Sequence, residues 1–131
     1  MSNEVIEKTK KWKESIERYD ETVQDVSQFI IQSHKGNTEL DCDKLLKIDE
    51  QHAISLICFS ETITSLKSIE NKKTRKTAAE LLTMEPEFAG LDTKALLAIH
   101  TNENIESVFY LHEIFIEHSK LIADKIIKLL S

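Results

Sequence analysis

This chain is predicted to be all-α, an elongated three- or four-helix antiparallel bundle with coiled-coil-like long helices. Three observations lead there. The 131 residues include only 2 Gly and 1 Pro, so the backbone has few places to turn and its elements must be few and long. Apolar side chains recur at heptad spacing along residues 5–30, the period of a helix that packs along one seam. No segment alternates apolar and polar residues between turn signals, as a half-buried strand would. A chain of this length is read as one domain, 1–131, able to bury roughly two thirds of the surface it would expose unfolded.

The first helix is expected to start just after Ser2 or Asn3, either of which can cap the free amides, and to run to about Ser33. Its apolar residues are Val5, Trp12, Ile16, Tyr19, Val23, Val26 and Ile30, with Thr9 at the remaining seam position. At 100° per residue this set falls within a band of roughly 60°, the narrow seam of a coiled coil. In "HKGNTELDCD", His34 to Asp43, a glycine sits among Asp, Asn and Thr, which compete with the backbone for hydrogen bonds, so a loop is expected.

Asp41 or Asp43 is expected to cap the second helix, from about Lys44 to Ile69. One face holds Leu45, Ile48, His52, Leu56, Phe59, Ile63 and Leu66, and Leu46, Ala53 and Ile57 widen it over the first half. The first half should therefore be the more deeply packed. Thr77 and Glu80 match a capping box, which predicts a short helix from about Ala78 to Met84. "MEPEFAGLD", Met84 to Asp92, is the expected sharp change of direction, and Asp92 or Thr93 then caps "TKALLAIH". A break or kink is expected at "HTNEN", His100 to Asn104, because Asn102 and Asn104 are better caps than interior residues.

The last helix, ending near Leu130, carries "FYLHEIFIEH", in which two histidines and two glutamates stand among large apolar residues. Placement at 100° per residue puts His112 at the centre of a broad apolar arc and Glu113 and Glu117 about 100° to 140° away, with His118 near −120°. The four polar groups thus diverge. A dimetal bundle site needs Glu-x-x-His, but Phe109 and Phe115 stand three residues before the two histidines. A zinc-peptidase His-Glu-x-x-His is also absent. No metal site and no cofactor are therefore expected.

His52 and His112 both fall mid-seam, so two core histidines could meet across helices and make the core responsive to pH. The plainer reading is that each is satisfied locally. The basic run Lys67, Lys72, Lys73, Arg75 and Lys76 lacks interleaved aromatics and a glycine-rich phosphate loop, so it reads as a solvated helix end. Neither cysteine nor any serine lies in a nucleophile pattern, and so few loops leave little to build a catalytic site on. The chain is not expected to be an enzyme.

A formal net charge of −6 gives no general reason to approach nucleic acid or an anionic membrane. Two cysteines are too few for a disulfide framework, and neither a membrane-spanning run nor a signal-peptide core is found, so a cytoplasmic or nuclear compartment is expected. What remains is surface for partners. Tyr110, Ile114 and Leu121 form a second apolar stripe almost opposite His112, and Trp12 and Tyr19 supply aromatic anchors on the first seam. These five residues are the expected interface of a non-catalytic helical interaction or assembly subunit, whose partner is another protein, a further copy, or both. The alternative is a small acidic inhibitor or immunity-type protein that blocks a basic site on its partner.

Overall fold

The computed structural model describes residues 3–34, 42–84 and 105–131, and within them the side chains of all but 27–34, 42, 45 and 105–108. Almost all of these residues are helical, without a strand among them. The elements are α1 (Asn3–His34), α2 (Cys42–Ser65) with a 3₁₀ turn at its end (Leu66–Ser68), α3 (Lys72–Thr83) and α4 (Ile105–Leu130). The expected turn at 85–92, the segment "TKALLAIH" and the break at His100 to Asn104 lie outside the described residues.

The heptad seam of α1 is the axis of the core. Val5, Thr9, Trp12, Ile16, Tyr19, Val23 and Val26 are all buried, and both α2 and α4 pack along that one seam. Each runs against α1. Moving from Trp12 to Tyr19 takes the aromatic contact on α2 back from Phe59 to His52, and moving from Lys13 to Asp20 takes the ionic contact on α4 back from Asp124 to His112. Hence α2 and α4 are parallel to one another. Each large apolar side chain buried in this core contributes about 1.5–3 kcal/mol through the area it removes from water.

The second helix faces inward with a different register from the one its large aliphatics predict. Its inward ladder is Ile48, His52, Ser55, Phe59, Thr62, Leu66 and Ile69, with His52 and Phe59 half-buried and the others buried, an alternation of four and three residues in which Ser55 and Thr62 replace Leu56 and Ile63. Those two instead stand 48% and 45% exposed. Leu46, Ala53 and Ile57 are exposed as well, so the first half of α2 is not the more deeply packed. The physical reason lies in the hydroxyls. Ser55 donates to the carbonyl of His52 at 2.8 Å and Thr62 to that of Cys58 at 3.0 Å, so each is satisfied by its own helix and can be buried as a small residue. Thr9 does the same with Val5 at 2.7 Å on α1, as does Ser15 with Trp12 at 2.6 Å. Small side chains let the two backbones approach closely.

The third helix begins six residues before the expected Ala78. Asn71 is its cap: its backbone is extended, and its Oδ1 accepts from the amide of Thr74 at 3.0 Å. Thr77, expected to cap, lies inside the helix and donates to the carbonyl of Lys73 at 3.0 Å. A cap six positions upstream of Thr77 thus captures the helix start. Arg75 turns its guanidinium back to the carbonyl of Ile69 at 3.2 Å, tying the start of α3 to the end of the 3₁₀ turn. At the other end, His118 on α4 donates from Nε2 to the carbonyl of Met84 at 2.8 Å, which anchors the C-terminus of α3 on α4.

Candidate interaction faces and the buried histidine layer

Midway along α1 the structure brings three rings into one layer. Tyr19, fully buried, meets His52 of α2 with ring centroids 5.5 Å apart and His112 of α4 at 5.1 Å, the latter edge-to-face at 75°. Its place on the seam is what joins the two histidines. His112 is wholly buried, and its Nε2 lies 3.4 Å from Oδ1 of Asp20, a side chain 32% exposed. At that separation charge is felt, yet neither ring nitrogen of His112, nor Nε2 of His52, makes a well-formed hydrogen bond to a described residue.

Burial holds the His112 imidazole below its ordinary pKa, because charging it there would forfeit hydration. Asp20 partly opposes this through its charge and proximity, and His52 adds a smaller push in the same direction as burial. The layer therefore favours a neutral imidazole. Among the described residues no group of three or more His, Cys, Asp or Glu is arranged to hold a metal ion. Cys58 is a free, half-buried thiol beside the core.

Next to this layer, Asp20, Gln24, Glu113, Ile116, Glu117 and Lys120 line a cleft of about 380 Å³. The two glutamates of "FYLHEIFIEH" thus share a wet, mainly acidic rim with Asp20, one helix away. His118 has a separate task, the bond to Met84. Polar side chains that look contiguous in sequence are thus distributed over three sides of α4.

The five residues expected at an interface divide into two sets. Trp12 and Tyr19 are 1% and 0% exposed; Trp12 packs on Phe59 with centroids 5.0 Å apart, and both anchors are used inside the chain. At Trp12 and Tyr19 the seam is covered by α2 and α4. Tyr110, Ile114 and Leu121 are 63%, 40% and 51% exposed and line the side of α4 turned away from α1. Placement by angle suffices to find this stripe, because α4 is apolar on two sides and only one can face α1.

A second apolar face was not legible as such. Leu46, Ile54, Leu56, Ile57 and Ile63 of α2 stand between 43% and 58% exposed. The signal for it was present at Thr9: the hydroxyl residue accepted as a seam position on α1 has counterparts in Ser55 and Thr62, and admitting them turns Leu56 and Ile63 outward. No helix among the described residues is long and apolar enough to cross a membrane. No family model, curated protein or solved structure matches this chain.

Proposed function

We propose that the protein is a non-catalytic helical interaction subunit that docks partner protein through the outer apolar faces of α4 and α2. The observation that carries this reading is the outward stripe of Tyr110, Ile114 and Leu121, exposed at 40% or more while the opposite side of the same helix packs on α1. An exposed apolar stripe is stabilised by a partner that covers it. Tyr110 adds a large, rigid side chain with a polar tip, the kind of anchor that dominates binding energy at interfaces.

The test is capture of partners from native extract on the parent protein and on Ile114→Asp and Leu121→Asp variants, followed by binding measurements with the purified partner. Both variants change exposed positions and should keep their helicity. The expected result is a partner bound by the parent and weakened by roughly tenfold or more in each variant. Equal recovery on parent and variants would sink the reading.

A second reading rests on the acidic rim of Asp20, Glu113 and Glu117, which suits an inhibitor seated on a basic site. In that case binding weakens with salt and on Glu113→Gln or Glu117→Gln, and Ile114→Asp leaves it unchanged.

A further inference from the structure

We propose that the outer face of α2 is a homodimer interface, on which a second copy of this chain packs its own α2 antiparallel about a two-fold axis near residues 54 and 55. The inference rests on reading the exposed apolar faces as docking surfaces and names the occupant of one of them. Its first support is symmetry within the face. The apolar ladder Leu46, Ala53, Leu56 and Ile63 has spacings of seven, three and seven residues, the same read in either direction. A two-fold contact uses one patch twice, so the patch must complement itself. With the axis at the midpoint, Leu46 meets Ile63 of the other copy, Ala53 meets Leu56, and Asp49 meets Ser60. Every large aliphatic of the ladder thereby faces an apolar residue, and the small Ala53 leaves room for Leu56.

The ladder also has the geometry such a contact needs. At 100° per residue its four members span about 100°, and Ile57 and Ile54 extend the apolar surface about 20° and 80° beyond the Leu46 edge.

Size is the second support. The five exposed aliphatics of α2, each about half uncovered, amount to roughly 400 Å² of apolar surface, a patch that on a monomer is often functional. A standard interface buries about 800 Å² per partner, of which roughly 450 Å² is apolar. The face of α2 therefore offers close to the apolar area a stable dimer uses. The stripe on α4 lacks the symmetry: Tyr110, Ile114 and Leu121 are spaced four and seven residues apart. A two-fold that pairs Tyr110 with Leu121 sets Ile114 against Glu117, and one that pairs Ile114 with Leu121 sets Tyr110 against Lys125. A second copy fits α2, and the stripe on α4 remains for a different protein.

Light scattering on the eluting protein over a wide concentration range, with the Leu56→Asp variant beside it, is the first half of the test. The parent is expected to be a dimer that dissociates on dilution, and Leu56→Asp to be a helical monomer, since the two-fold enters each substitution twice. The second half fixes direction. In a background without Cys42 and Cys58, copies carrying Leu46→Cys and copies carrying Ile63→Cys should form disulfide-linked dimers when mixed and few when oxidised apart. Dominant cross-links between two Leu46→Cys copies mean a parallel contact and overturn the proposal. So does a parent that stays monomeric at every concentration, or a dimer dissolved by Ile114→Asp and untouched by Leu56→Asp. A monomer that loses thermal stability on Leu56→Asp shows the face covered from within its own chain, and also overturns it. None of these outcomes touches partner binding by α4, which the capture experiment reads separately.

Discussion

The imidazole of His112 on α4 lies 3.4 Å from the carboxylate of Asp20 on α1, fully buried on one side of the contact and 32% exposed on the other. Its pKa is lowered, chiefly by burial. A lowered histidine pKa means that the unfolded chain takes up a proton before the folded chain does. Stability from this group is therefore complete above about pH 6.5, the ordinary imidazole value, and falls as pH drops from there towards the folded value. Urea unfolding midpoints from pH 8 to pH 5 should show His112→Leu losing less stability over that acid limb than the parent. Asp20→Asn removes the influence that opposes burial, so its loss should extend to lower pH. Parallel curves for parent and His112→Leu would refute the assignment.

At neutral pH the same replacement is expected to be close to neutral or stabilising. An imidazole buried without a well-formed hydrogen bond carries a penalty of about 1–3 kcal/mol, which an aliphatic side chain of similar size avoids. His112→Ala, by contrast, should lose stability by leaving a cavity against Tyr19. Thermal melts of the two variants distinguish these effects.

Trp12 is the only tryptophan of the chain and packs against Phe59. Its emission should report unfolding directly, with a red shift as α2 leaves α1. Trp12→Ala is expected to cost about 3–5 kcal/mol, a large part of the ~5–15 kcal/mol that a domain usually has. Phe59→Leu should shift the native emission of Trp12 at smaller cost.

The register of α2 can be checked from both sides. Ser55→Leu and Thr62→Ile put larger side chains into the close seam with α1 and should each cost about 1–3 kcal/mol. Leu56→Ser and Ile63→Thr, measured where the chain is monomeric, should change stability by less than about 0.5 kcal/mol. The reverse ranking would place the aliphatics inside.

At the start of α3, Asn71→Ala should lose about 1 kcal/mol with the bond to the Thr74 amide. Thr77→Ala, at an interior position with a back-bonded hydroxyl, should be near neutral. Comparison of the two denaturation midpoints separates the cap from the box-like pair that resembles one.

The sequence by itself determined the helical class, the length of α1, and the position of His112 within an apolar arc. These are local properties: scarcity of Gly and Pro and the period of apolar residues act within one helix and need no knowledge of its neighbours. It also located the stripe of Tyr110, Ile114 and Leu121, since a helix apolar on opposite sides cannot bury both against one partner. Only the tertiary structure decided that α1 presents its single seam to two helices at once, consuming Trp12 and Tyr19 inside the chain. It alone turned Leu56 and Ile63 outward, because the closeness of α1 selected Ser55 and Thr62, whose hydroxyls their own helix satisfies. The pairing of Asp20 with His112, and of His118 with Met84, likewise depends on which helices lie side by side. Periodicity specifies a face; what covers that face is decided by distance between backbones and by where polar atoms find partners.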